Sequence, residues 1–262
     1  MDILSHTLSG IVIGTAVASF SSKGRIDQLK IILFSGFAAA LPDLDAISLW
    51  SQFDSTIGNF FQLTNSGKDI YIAKFWYSHH AFMHSLFAAF LFPLLFVLST
   101  KIINRKRSFK ETIYKNKLLI IALILGFIIH LFEDMPTPAS SWGGIRFFWP
   151  NEQYIGGFGK IWWWNNYDIF IIIAVSVFMN TIILIFSKQL KSTSQFLTIA
   201  ILFISVVFSI NQMNSRNFDF SSTKKGKHQE FEQKSLEIQK EILGDQIFRK
   251  MNEFDKKMKF YF

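Results

Sequence analysis

Long uncharged apolar runs set the terms for what this chain can fold into. Six stand out, at about 3–20, 29–41, 81–103, 118–135, 169–187 and 196–210. Crossing a bilayer as a helix takes ~20 apolar residues, with a range of about 17 to 25. The first, third, fourth and fifth runs meet that length. The second is short and ends at Pro42, and the sixth is marginal. A chain that is 50% hydrophobic and carries 31 Phe in 262 residues rarely needs such runs to build a soluble core. The expected fold is therefore an all-α polytopic membrane bundle of about six spans, closed by a C-terminal amphipathic helix.

The net charge of +8 resembles a nucleic-acid footprint until the charges are located. They lie in loops and in the last fifty residues, so topology signals explain them and no nucleic-acid partner is expected. The loops at 21–30, 101–117 and 188–195 carry twelve Lys and Arg, against four in the loops at 46–78 and 136–168. Basic short loops stay in the cytoplasm. The N-terminus and the 46–78 and 136–168 loops then face outward. The first run is preceded by Asp2 and by no Lys or Arg, and it has no convincing small-residue cleavage site. It reads as a retained span and not a cleaved signal. The chain has no cysteine, which excludes disulfides and thiolate ligands.

Five of the six histidines sit at the ends of the apolar runs, near aspartates. His6 follows Asp2; His79, His80 and His84 lie a loop away from Asp43 and Asp45; His130 precedes Asp134. On the charge-derived topology all of them fall at one level, in the outer leaflet. Ionisable groups at that depth are expensive and mark function by default. Imidazole with carboxylate is a nitrogen/oxygen metal set.

Each part alone is weak. His130 and Asp134, four apart, share a helical face and can converge on an ion, as can Asp2 and His6. Such a pair is more often a structural hydrogen bond. Leu41-Pro42-Asp43-Leu44-Asp45 reads as a helix-ending turn, in which one aspartate binds metal while the other orients a histidine. His80 and His84 share a face if the third helix has begun, whereas Ser78 as a cap leaves His79 in the preceding turn. Together, four histidines and three aspartates exceed the needs of one tetrahedral ion and suffice for one or two.

These residues resemble the bacterial inner-membrane, metal-dependent hydrolases of the YdjM type. The likeness runs through Met1-Asp2, Ser5-His6 and Gly10, then Pro42-Asp43-Leu44-Asp45, then His79 and His84-Ser85. It continues through Leu125-Gly126-Phe127, His130, Asp134 and Thr137-Pro138 to Trp149-Pro150. The resemblance covers about residues 1–150. The family is grouped distantly with zinc-dependent phospholipase C and P1-type nucleases, which are helical and use a multi-zinc His/Asp site.

The resemblance implies metal ligands at His6, Asp43, Asp45, His79, His84, His130 and Asp134, with Asp45 and His79 as the expected catalytic groups. It implies one or two divalent ions, most naturally Zn²⁺, and hydrolysis of a phosphoester or phospholipid-like substrate from the outer face of the inner membrane. One block departs from the family pattern. Where His-Arg-Gly-x-Thr-His-Ser is common, this chain has His79-His80-Ala81-Phe82-Met83-His84-Ser85. An arginine there can clamp phosphate bidentately. His80 does so only when protonated, and Arg146, in the outer loop, is a candidate substitute.

Residues 1–210 read as the membrane-embedded hydrolase domain and 211–262 as a charged tail. In the tail, Leu243, Ile247, Met251, Phe254 and Met258 follow helical spacing, for docking on the bundle or on the bilayer surface. The glycines of the 136–168 loop fit a lid, and Gly10 and Gly14 fit close packing of the first span. All seven Trp lie on the outer side, as an anchoring belt or as substrate contacts. Three rival readings are a divalent-ion or proton transporter, a haem-binding protein, and a non-catalytic binding or signalling protein with a relic site. The apolar inner halves of spans one, three and four count against transport, and the three aspartates against haem.

Overall fold

The computed structural model describes residues 2–190, 192–221 and 227–258. The parts of the tail at 222–226 and 259–262 lie outside the described residues. Nine α-helices are present among those described: α1 (Ile3–Ala18), α2 (Arg25–Ala40), α3 (Gly67–Ile72), α4 (Leu86–Ile103), α5 (Phe109–Asp134), α6 (Tyr167–Ile185), α7 (Ser187–Leu190), α8 (Ser192–Asn214) and α9 (His228–Met258). Two isolated antiparallel bridges, Pro138 with Phe158 and Ile145 with Ile155, are the only β pairing among the described residues.

Local signals set the helix ends. Asp2 caps α1 by accepting from Ser5 N at 2.9 Å, satisfying a donor the helix cannot pair. A capping box between Ser108 and Glu111 starts α5. Pro42 follows α2 and opens a 3₁₀ segment, Pro42–Leu49, bent 47° from it. The third apolar run starts its helix later than expected. Ser85, not Ser78, is the cap of α4, accepting from Ala88 N at 3.1 Å. His80 has left the helical region with φ 63°, and His84 ends a separate 3₁₀ turn, Phe82–His84.

The span count also needs correction. Four helices are long and apolar enough to cross a membrane, α4, α5, α6 and α8, or five if α2 and its bent continuation form one span. The first run does not qualify. Helix α1 has 16 residues, about 24 Å at 1.5 Å per residue, short of a ~30 Å hydrocarbon core. It lies instead inside the bundle, packed against α2, α5, α6 and α8. The sixth run does qualify, because α8 continues past the apolar window at both ends to reach 23 residues.

Small residues bring α1, α2 and α5 into close contact around Ser35. A Cβ on Gly126 would fall 2.4 Å from the Ser35 carbonyl oxygen, and one on Gly10 would fall 2.6 Å from the same atom. Ser35 Oγ donates to the Ala122 carbonyl at 3.1 Å across the same seam. Neutral polar side chains link other helices: Asn180 Nδ2 donates to Thr15 Oγ1 at 3.1 Å, and Thr198 Oγ1 donates to Ser19 Oγ at 3.2 Å. This is the small-residue and polar packing expected where lipid supplies no hydrophobic drive between helices.

The tryptophans divide by role. Trp50 and Trp76 are exposed, as a belt requires, alongside Phe60 and Phe61. Trp162 is buried with Phe220, Phe231 and Ile238, and Trp163 and Trp164 pack on this core. That cluster seats the first half of α9 on the 159–166 loop. Gln239 Oε1 accepts from Asp168 N at 2.9 Å, and Arg216 grips Asp168 through Nη2, at 2.7 and 3.0 Å to its two oxygens. Helix α9 is broken at Gly244 (φ 71°). Beyond the break Ile247 and Phe254 remain exposed. Both halves of α9 dock on the bundle, since beyond the break Tyr167 Oη donates to Asp255 Oδ2 at 2.9 Å.

Candidate metal centre

The centre forms where α1 begins, α2 bends and α5 ends. His6 lies in the first turns of α1, and His130, Glu133 and Asp134 in the last turns of α5. Asp43 and Asp45 come from the 3₁₀ segment after Pro42, and His79, His80 and His84 from the stretch before α4. His6, His79, His80, His84, His130 and Asp134 are all buried. Asp2 stays outside the cluster as the cap of α1.

Every one of the five imidazoles is fixed through Nδ1. His79 Nδ1 donates to Asp45 Oδ1 at 2.5 Å and His84 Nδ1 to Asp45 Oδ2 at 3.1 Å. His6 Nδ1 donates to Glu133 Oε2 at 2.7 Å. His130 Nδ1 donates to the Ala39 carbonyl at 2.7 Å and His80 Nδ1 to the Gly144 carbonyl at 3.0 Å. A histidine held this way by carboxylate or carbonyl presents Nε2 as its lone pair, the orientation that metal-ligating histidines adopt. Asp45 thus stands behind two histidines, with an oxygen on each, while Asp43 stands among the converging atoms.

Those atoms form one cluster. His84 Nε2 lies 3.2 Å from His130 Nε2 and 3.4 Å from Asp134 Oδ2. His130 Nε2 lies 3.1 Å from Asp134 Oδ2 and 3.6 Å from Asp43 Oδ1, and Asp43 Oδ1 is 3.8 Å from His84 Nε2. Ligands bound at about 2.0–2.2 Å around a tetrahedral ion are about 3.4 Å apart. The donor set Asp43, His84, His130 and Asp134 fits a divalent cation on both chemistry and spacing. His6 Nε2 adjoins it, 3.2 Å from Asp134 Oδ1. His79, His80 and His84 make a second group whose ligand atoms lie within 4.8 Å of one another.

The electrostatics fit as well. Burial disfavours charge on His84, but the carboxylates around it, Asp45 foremost, hold the ring well above the usual imidazole range. A proton is drawn to the place where a cation would sit. His80 goes the other way: burial, with His79 and His84 beside it, pushes it well below that range. It is a neutral ring at pH 7.

A model of the YdjM inner membrane protein family matches residues 1–217. The chain belongs to that family. No curated protein and no solved structure matches it. The YdjM match covers the whole bundle and every residue of the cluster, and it stops before α9. It makes the chain an inner-membrane-type protein and agrees with its apolar helices.

Several contributors had little or no signal in the sequence. Glu133 neighbours Asp134 but lies about 100° around the helix from it, and only the proximity of α1 gives it a partner. Gly144 matters through its carbonyl, and its φ of 113° beside the Ile155 carbonyl leaves no room for a Cβ. Trp142 packs over His80 at 4.6 Å, and Tyr71 stacks on His79 at 4.6 Å. Arg146 donates through Nε to the Asn151 carbonyl at 2.9 Å and through Nη2 to the Pro150 carbonyl at 3.3 Å. Its guanidinium ties the loop together.

Proposed function

We propose that this YdjM-family protein is a membrane-bound, metal-dependent hydrolase that cleaves phosphoesters of lipid-like molecules at the extracytoplasmic face. The observation that carries the reading is the convergence of His84 Nε2, His130 Nε2, Asp43 and Asp134 at tetrahedral spacing, with each imidazole fixed from behind. A divalent ion such as Zn²⁺, which Asp43, His84, His130 and Asp134 would hold, would supply a water of pKa near 7 and Lewis acidity toward a phosphoryl oxygen. The chain's own residues do the rest. Asp45, Glu133 and the Ala39 carbonyl hold ring orientation and tautomer, so the donors need little rearrangement. His79, with Nδ1 committed to Asp45, offers only Nε2, to a proton or to a cation.

Two features support a lipid-like substrate. The outer loops expose Phe60 (80%) and Trp76 (59%), which suits the interface. An apolar groove of about 400 Å³ runs along Leu86, Phe87, Phe90, Leu91 and Leu94 of α4 beneath Phe148 and Trp149. Its first residue is two positions from His84. The outward side follows from the distribution of Lys and Arg, which leaves this end of the bundle poor in positive charge.

The deciding experiment is elemental analysis of detergent-purified protein, followed by assay against a phosphodiester and against mixed phospholipid micelles. Bound zinc, manganese or iron together with metal-dependent phosphate-ester cleavage supports the reading. Protein that takes up no divalent ion after reconstitution removes it.

A further inference from the structure

We propose that the centre has a second cation position, built by His79, His80 and His84, so that two ions divide the donors between them. This rests on the metal reading above and goes beyond it by making His80 a ligand.

His80 is positioned at some conformational expense. It is a non-glycine residue at φ 63°; like Gln62, Ser140 and Asn165 it sits at positive φ, a region uncommon outside glycine and enriched at functional sites. Three contacts hold it there. Its Nδ1 donates to the Gly144 carbonyl, its own carbonyl accepts from Arg146 N at 2.8 Å, and Trp142 covers the ring. A turn that needed only a positive φ would be met by glycine. Here the strained backbone carries a buried imidazole whose committed Nδ1 leaves Nε2 to its neighbours.

Those neighbours are two more imidazoles. Ring centroids are 4.3 Å apart for His79 and His80, 4.7 Å for His80 and His84, and 4.9 Å for His79 and His84. All three donate through Nδ1 to Asp45 or Gly144. Three histidines with an open fourth place are a ligand set that catalytic zinc sites use.

His84 belongs to both groups, and one Nε2 serves one ion. With a single ion bound, His84 completes the inner position with Asp43, His130 and Asp134. With two, His84 passes to the outer position. Asp43, His130 and Asp134 then keep the inner ion, joined by His6, whose buried Nε2 has no hydrogen-bond partner and lies 3.2 Å from Asp134 Oδ1. The second ion also supplies positive charge where Arg146 is tied to its own loop.

The test is a Co²⁺ titration of the metal-free full chain in detergent, followed by visible absorption and by metal content after desalting. Wild type should bind two equivalents, with the spectrum of the first changing as the second enters. His80→Asn should bind one, since asparagine tolerates the left-handed backbone and removes the imidazole. One equivalent in wild type, or two in both proteins, overturns the second position and leaves the single-ion reading standing. No binding in wild type overturns both. The wild-type stoichiometry decides the matter even if the variant fails to fold.

Discussion

The Nε2 atoms of His84 and His130 face each other at 3.2 Å, although the residues are 46 apart in sequence. Both rings have committed Nδ1 to an acceptor, so two lone pairs point at one another inside a buried cluster with two carboxylates. Something positive must lie between them, a proton or a metal ion. Replacing His130 by Ala removes one side of that arrangement. The variant should lose bound metal and hydrolytic activity while its membrane expression and gel-filtration profile stay as in wild type. Metal content by elemental analysis checks it, and undiminished metal would sink the assignment.

The proton on His84 gives the metal site a pH dependence. Because the folded ring is held well above the usual imidazole value of about 6.5, it is charged at neutral pH and must lose that proton to bind an ion. Affinity should therefore rise with pH through and beyond neutrality. About one proton should be released per ion taken up by His84 at pH 7.5. A pH-indicator dye in weak buffer measures the release. Uptake without proton release would mean that His84 is not a ligand.

Glu133 touches the centre only through His6, accepting from Nδ1 at 2.7 Å. Glu133→Gln keeps the shape but loses the charge that fixes the ring. Outer contacts of this kind typically change metal affinity by about 10- to 100-fold. Competition with a chelator of known affinity should show a loss in that range, with the melting temperature little changed.

Gly126 lies one helical turn before His130, and its Cα faces the Ser35 carbonyl. Gly126→Ala would place a methyl 2.4 Å from that oxygen. Overpacking of this sort costs about 1–3 kcal/mol. The variant should melt earlier and bind metal more weakly, because α5 must move away from α2 and carry His130 with it. Restored spacing in a metal-saturated sample, read as a larger thermal shift on adding Zn²⁺ than in wild type, would show that the ion pulls the helices back.

Arg216 Nη2 reaches both oxygens of Asp168 in an almost solvent-free pair, which ties the segment just after α8 to the start of α6 at the foot of the tail. Removing one partner leaves a buried charge unmatched, which costs about 3–5 kcal/mol. Arg216→Ala should lower the thermal midpoint in detergent and expose α9 to limited proteolysis. Rescue by the double variant Arg216→Met/Asp168→Leu would confirm that the lone charge, and not lost packing, is responsible.

Much of the centre is legible in the sequence. Charge counting placed His6, Asp43, Asp45, His79, His84, His130 and Asp134 at one level, and the structure brings them to one end of the bundle. The spacing of His130 and Asp134 did translate into a shared face, at 3.1 Å. Other features need three dimensions. Hydropathy cannot distinguish α1, enclosed by other helices, from a span that faces lipid. Periodicity gave His80 and His84 a common helical face that the positive φ at His80 denies them. The Trp162–Trp164 run looked interfacial because its partners Phe220 and Phe231 lie some sixty residues further on, in a segment read as tail.

The enclosure of α1 bears on the order in which the molecule can be assembled. Helix α1 precedes α2–α8 in the chain, yet it packs against α8, the last helix of the bundle. It is also too short to rest across a bilayer unaided. A helix made before its partners is thus enclosed after them, and His6 meets Glu133 and Asp134 only after synthesis has passed residue 134. His6 can therefore join the other residues of the centre only once α5 is in place beside α1.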